Sequence, residues 1–190
     1  MNHGWLYTPG KYVCNTGGIA NDPEYQLWTQ LKQRCNPSFW IGNPSYEGTT
    51  ASSEFMNFQS FAEWCNSQIG FASHYQLDKD LLVKGNKHYS RNTCVFLPMK
   101  LNCLIRLNKY RRGDLPIGVS WNTAKKKYQS TMKVGGLNIF VGRFNTIEET
   151  FFAYKTAKED CIKKEASSYQ SMIDPKAYQA LLDFKINIDD

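Results

Sequence analysis

No apolar run in this chain of 190 residues approaches the roughly 20 residues that a helix needs to cross a bilayer, so no membrane span is expected. The opening residues, MNHGWLYTPGKY, lack a basic stretch followed by an apolar one. A secretion signal is therefore not expected, and the cytosol is the default compartment. Paired cysteines are missing as well. Cys14, Cys35, Cys65, Cys94, Cys103 and Cys161 form no CxxC, and their spacing fits no zinc ribbon or finger. Scattered cysteines in a cytosolic chain behave as small buried hydrophobes, so neither a disulfide nor a structural zinc is expected.

Acid is scarce in the middle of the chain. Between Lys100 and Lys133 stand Lys100, Arg106, Lys109, Arg111, Arg112, Lys125, Lys126, Lys127 and Lys133, with Asp114 as the lone acid. Past Glu148 acids outnumber bases. The net charge of +6 is moderate, but its concentration forms an electrostatic footprint for phosphate. A hydrophobic content of 42% belongs to a folded protein rather than a disordered one. The length suits one ordinary domain or two small ones.

Residues 1–22 are rich in Gly, Asn and Thr and read as an irregular arm. Asp22-Pro23 offers a helix start, and Tyr25, Leu27, Trp28 and Leu31 continue it as an apolar stripe. Residues 36–53 carry many turn formers and read as a loop. Phe55, Phe58, Phe61, Ala62 and Cys65 then mark a second helix whose aromatics belong to a core. Residues 74–83 and 89–97 read as strands separated by a turn at Gly85, and residues 99–108 as a helix with Leu101, Leu104 and Ile105 inward. That order makes a ββα unit, with His74, Asp78 and Asp80 sharing one strand parity. Residues 109–114 form a basic linker.

The stretch from Pro116 to Ala157 carries most information. Three short alternating strands precede one amphipathic helix, which is expected to run towards Ser167. Val119, Trp121, Tyr128, Ser130, Met132, Ile139 and Val141 can line the face against that helix. Period-two alternation then sends Ser120, Asn122, Lys127, Gln129, Thr131, Lys133, Asn138 and Phe140 to the other face. A small sheet with a basic, amide-rich face can enter a DNA major groove. Asn and Gln suit adenine there, and Lys suits guanine or phosphate. Lys109, Arg111, Arg112, Lys125, Lys126 and Lys127 would hold phosphate. Gln129, Thr131, Lys133 and Asn138 would touch bases. Asp174-Pro175 opens a last short helix, and the acidic end INIDD reads as extended.

Gly118-Val119, Lys127-Tyr128, Val141-Gly142-Arg143-Phe144, Thr146, Glu148-Glu149, Ala153, Tyr154 and Ala157 together resemble the AP2 DNA-binding domain. The resemblance implies a three-stranded antiparallel sheet packed on a helix, its open face in the major groove of double-stranded DNA. Plant AP2 domains carry Arg and Trp on that face where this chain carries Ser, Asn, Thr and Lys, so the platform transfers and the target sequence does not. The earlier part, through Tyr25, Trp28, Arg34-Cys35, Phe58, Phe61, Trp64, Leu77-Asp78-Lys79-Asp80, Gly85-Asn86-Lys87, Tyr89-Ser90, Thr93-Cys94 and Asn102, resembles phage HNH endonucleases that carry an AP2-like module. Many of these are homing endonucleases acting in a bacterial host.

Together the resemblances imply an α+β protein. Residues 1–108 form N-terminal helices with an HNH-like ββα unit, 109–114 the linker, and 115–190 an AP2-like domain with a helical extension. The HNH pattern implies Asp78 as a carboxylate for Mg²⁺ or Mn²⁺, with Asp80 able to share the ion, followed by a histidine base that draws a proton from the attacking water. Lys79 stands at that base position, and a lysine ammonium is protonated at neutral pH and cannot accept a proton. His74 and His88 are the substitute bases to consider, and Asn92 lies near the late ligand position. Two readings stay open: a metal-dependent DNA endonuclease with an atypical centre, or a metal-free binding protein on the same scaffold, acting as a repressor or as an inhibitor of a host protein partner. The oligomeric state is left open.

Overall fold

The fold is described from a computed structural model over residues 4–8, 10–12, 22–107 and 113–190. It is a mixed α+β protein that divides into two compact units, Met1–Leu97 and Pro98–Asp190. No helix among the described residues is long and apolar enough to cross a membrane.

In the first unit, α1 (Pro23–Arg34) begins at the anticipated Asp22-Pro23 and buries Trp28 and Leu31. The stretch read as a loop is more ordered than its composition indicates. Asn36 accepts a hydrogen bond from the Ser38 N–H and Pro37 supplies a fixed φ, which together start α2 (Pro37–Trp40). A 3-10 turn (Pro44–Tyr46) and strand β1 (Thr50–Ala51) follow. The expected second helix is broken in two at Asn57. Ser52 caps α3 (Ser53–Met56), and Asn57 caps α4 (Phe58–Ser67) through the Ser60 N–H. The break turns Phe55 against Phe61 and Trp64. Trp28, Leu31, Phe55, Phe58, Phe61 and Trp64 form one buried, largely aromatic cluster, as their spacing anticipates, and Phe96 joins it. Trp28 donates its indole N–H to the Phe55 carbonyl at 3.0 Å, so the one polar atom of that ring is satisfied inside the core.

The two long strands expected at 74–83 and 89–97 are shorter and differently paired. His74 takes φ +56 in a turn, so β2 is only Gln76–Asp78. It pairs antiparallel with β4 (Val95–Leu97). β3 (His88–Tyr89) pairs parallel with β1 instead. The helix that completes the expected ββα unit is α5 (Met99–Ile105), and it belongs to the second unit. Lys100 on α5 pairs with Glu165 at 2.7 Å. The division between units thus falls at Leu97/Pro98, before the basic stretch that was read as the linker.

The second unit is built on a three-stranded antiparallel sheet in the order β5 (Val119–Asn122), β6 (Lys127–Val134), β7 (Leu137–Phe144). β6 turns into β7 through Gly135-Gly136, both at positive φ, the backbone that a two-residue hairpin loop demands. α6 (Ile147–Ser167) starts at a full capping box: Thr146 accepts from the Glu149 N–H, and Glu149 accepts from the Thr146 N–H. It covers one face of the sheet. Phe151 and Tyr154 meet Ile117, Val119 and Met132. α7 (Pro175–Leu182) is capped by Asp174. The acidic tail is anchored rather than free. Ile186 is fully buried, and its N–H donates to the Glu159 carboxylate at 2.9 Å.

At Gly118 the chain entering the sheet packs directly against Tyr154 of α6. Its φ is +77, and a Cβ there would lie 2.0 Å from the Tyr154 ring. Left-handed strain and overpacking would therefore add. Gly118→Ala is expected to lower stability by about 2–4 kcal/mol in urea unfolding followed by circular dichroism. Gly113→Ala, which meets nothing within 4 Å, should change stability by less than about 0.5 kcal/mol. Equal effects of the two substitutions would refute the Gly118–Tyr154 contact.

Candidate nucleic-acid interface

The antiparallel register decides what the open face of the sheet presents. Val119 pairs with Ser130 and Trp121 with Tyr128, while Ser120 pairs with Gln129 and Asn122 with Lys127. The first set shares the α6 side with Met132. Ser130 is completely buried there. The second set faces away. On β7 the simple alternation fails, because Ser130 pairs with Gly142 but Thr131 pairs with Phe140. Val141 is the extra residue of a β-bulge, and a bulge resets strand parity. Gly142 and Phe144 consequently share the α6 side with Ser130 and Tyr128. Arg143, opposite Gln129, joins the open face.

The open face is a connected strip. The Gln129 side-chain carbonyl accepts from the Asn122 amide at 3.0 Å and from the Arg143 Nε–H at 3.1 Å. The Arg143 guanidinium lies 4.8 Å from the centre of the Phe140 ring, a cation–π distance. Phe140 is half exposed. Ser120 donates its hydroxyl to the Gln129 backbone carbonyl. Lys133 and Asn138 are paired across the strands, and both are exposed. At the β5–β6 turn, Asn122 Oδ1 accepts from the Lys125 N–H at 3.0 Å, and Lys126 takes φ +50. That geometry holds exposed Lys125, Lys126 and Lys127 at one end of the strip. No Asp or Glu occurs between Asp114 and Glu148, so no carboxylate of this sheet opposes those charges. Lys109, Arg111 and Arg112 lie outside the described residues.

Of the anticipated face, Ser120, Asn122, Lys127, Gln129, Thr131, Lys133, Asn138 and Phe140 occupy the side away from α6 by register. Arg143 was missed as a member. The missing signal is the bulge, for which plain alternation has no provision. The run Val141-Gly142-Arg143-Phe144, with a glycine inside a strand, was the available hint.

The anticipated catalytic residues take part in the hydrogen bonding of their own loop. Asp78 Oδ1 accepts the backbone N–H of Asp80 at 2.9 Å and of Leu81 at 2.7 Å, closing an Asx-type turn that ends β2. Burial pushes the Asp78 carboxyl above its ordinary range, and the two N–H groups only partly oppose this. Lys79 is buried, not displayed. Its ammonium donates to the Asp80 carboxylate and to the Asn86 carbonyl, and it lies over the Tyr89 ring. Asn86 closes the loop by donating to the Lys79 and His88 carbonyls and accepting from the His88 N–H. The sequence places Asn86 in the Gly85 turn and in the HNH resemblance, and the structure adds its bridging hydrogen bonds.

His88 Nδ1 lies 2.9 Å from the Thr50 hydroxyl. His74, in its turn, does not share a strand face with Asp78, and Asp80 lies beyond the end of β2, so the parity argument for both fails. Asn92 is exposed in the turn between β3 and β4. Asp78 Oδ1 holds two backbone donors and Asp80 Oδ1 pairs with Lys79, and no cluster of three or more His, Cys, Asp or Glu side chains occurs among the described residues. The described cysteines are free thiols. Burial pushes Cys35 up to about 11 and Cys94 up to about 12, which suits inert packing groups.

The turn role of Asp78 is separable from a metal role. Asp78→Ala leaves the Asp80 and Leu81 N–H groups without their side-chain acceptor and should cost about 1–3 kcal/mol of stability. Asp78→Asn keeps an acceptor oxygen and should retain most of it. The sign with pH also follows. A carboxyl raised by folding favours the protonated native state, so its stabilising contribution is full below the ordinary carboxylate range. That contribution is lost as pH rises through the raised value. Urea unfolding across acidic pH should show that loss in the native protein and not in Asp78→Asn.

Comparison of the chain with protein-family models, with curated proteins and with solved structures finds no match.

Proposed function

We propose that this chain binds double-stranded DNA through the open face of the β5–β6–β7 sheet. The observation that carries the reading is the Asn122–Gln129–Arg143 strip, flanked by Lys125, Lys126 and Lys127, on a sheet without carboxylates. A ribbon of this kind fits a major groove about 12 Å wide. Arg143 suits the paired acceptors of guanine, and the Gln129 and Asn122 amides suit adenine. The lysines at the turn suit the phosphate backbone. Hydrogen bonds already orient the Gln129 amide in the free protein, which lowers the entropy cost of recognition.

Recognition is better supported than cleavage. A hydrolytic centre at Asp78 would have to work through Oδ2, because Oδ1 already holds two backbone donors. It would also need a base where the Lys79 ammonium is buried and doubly engaged. The resemblance to HNH and AP2 modules is compatible with a nuclease scaffold used for binding.

The test begins by selecting bound duplexes from a random DNA library with the full chain, then titrating them by fluorescence anisotropy against salt. Binding should weaken steeply with salt. Arg143→Ala should cost about 1–3 kcal/mol and relax the preference at one base position, whereas Lys126→Ala should weaken all sequences alike and reduce the salt slope by about 1. Incubation of the same DNA with Mg²⁺ or Mn²⁺ should leave it intact. Nicking that disappears in Asp78→Ala would establish the endonuclease reading instead. Absence of any selected duplex would remove the DNA reading and direct attention to a protein partner.

A further inference from the structure

The second unit contains a groove of about 810 Å³ between α5, β6, the Gly135-Gly136 turn and α6. It lies on the α6 side of the sheet and passes the β6 backbone at Thr131 and Lys133. Leu104, Met132 and Tyr154 give it an apolar wall. Its size falls in the range of small-molecule sites, roughly 300–1,000 Å³.

Lys158 lines this groove and is only 4% exposed. A buried ammonium is costly unless it is paired. Lys158 has a single, long contact of 3.5 Å to the Lys133 carbonyl, at the outer limit of hydrogen bonding. No described carboxylate reaches it. Burial accordingly pushes Lys158 below the ordinary lysine range, with nearby Cys161 opposing only in part. The neighbouring Glu159 is the contrast, since its carboxylate receives Lys155 and the Ile186 N–H. The other charged side chains on the groove wall are Lys100 and Arg106, both basic, while Lys133 contributes its backbone carbonyl. Lys100 is already paired with Glu165. The groove therefore combines an apolar wall with cations and one buried, under-coordinated amine.

We propose that this groove binds a small amphipathic anion, with an apolar body against Leu104, Met132 and Tyr154 and one carboxylate or sulfonate paired with Lys158. A neutral molecule of the same shape would leave the amine unsatisfied, and a cation would meet like charge. The site does not depend on the DNA reading, and either can fail without the other.

The test uses the full chain with anilinonaphthalene sulfonate, an apolar dye carrying one anionic group. Its fluorescence should rise on the folded protein. Decanoate should displace it at about tenfold lower concentration than decanol, since a charge-assisted hydrogen bond discriminates by at least that factor. Lys158→Met keeps the apolar stem and removes the cation, and it should erase the difference between acid and alcohol while the circular dichroism spectrum is retained. Cys103→Trp, at an exposed position on the groove wall, should block both competitors, and it decides the location if Lys158→Met fails to fold. Equal displacement by decanoate and decanol on the native protein would overturn the proposal. So would a preference for decanoate that survives Lys158→Met, or displacement unaffected by Cys103→Trp.

Discussion

A strand side chain can face only one of two sides, and the second unit rests on how that choice is made along three strands. β5 and β6 alternate without interruption, so Val119, Tyr128, Ser130 and Met132 fall on one side, and Asn122, Gln129 and Thr131 on the other. On β7 the same alternation would carry Arg143 under α6, where a guanidinium without a carboxylate would be costly. The bulge at Val141 prevents this. One extra residue sends Gly142 and Phe144 inward and Arg143 outward. A single backbone irregularity thus reconciles the packing of the helix with the chemistry of the open face. A substitution that straightened β7 would disturb both.

α6 supplies the covering layer, and its requirements propagate into the strands. Tyr154 lies so close to β5 that residue 118 must have no side chain. The next turn of the helix sets two buried charged residues side by side, with opposite outcomes. Burial pushes the Glu159 carboxyl up, but the hydrogen bond from Lys155, the Ile186 N–H and the charge of Lys185 outweigh it and hold the group below its ordinary range. These contacts also fasten the C-terminal segment, because the Lys155 ammonium reaches the Ile186 carbonyl as well. Lys158 receives no such set. The difference lies in the partners within reach, since both residues are under a tenth exposed.

Much of this was legible in the residues. Asp22-Pro23 and Asp174-Pro175 each announce a helix start by local chemistry, and helices begin there. The aromatic spacing from Trp28 to Trp64 announces a core. What escaped depends on partners far apart in sequence. Thr50–Ala51 is a strand only because His88–Tyr89 lies beside it. Residues 79–87 leave the strand conformation because Asp78 closes a turn on itself and Asn86 bridges Lys79 to His88. Period-two parity between Asp78 and Asp80 looked meaningful in the sequence, and it had no strand beneath it. Likewise α5 reads as the completion of a ββα unit by chain order alone, whereas contacts assign it to the second unit.

The same residues of the 78–88 loop are open to two interpretations, and their bonding gives each side chain a structural task. An acid, a lysine and a histidine near a strand end look like a hydrolytic centre when only their order is known. A catalytic carboxylate needs a lone pair directed at an ion or a water, and a general base needs an accessible, unprotonated nitrogen. Asp78 directs its oxygen at two backbone N–H groups. Lys79 buries its ammonium against Asp80, the Asn86 carbonyl and the Tyr89 ring. Each of these contacts lowers the cost of holding a charged group inside the fold, and a loop bonded in this way stabilises the first unit with its own side chains.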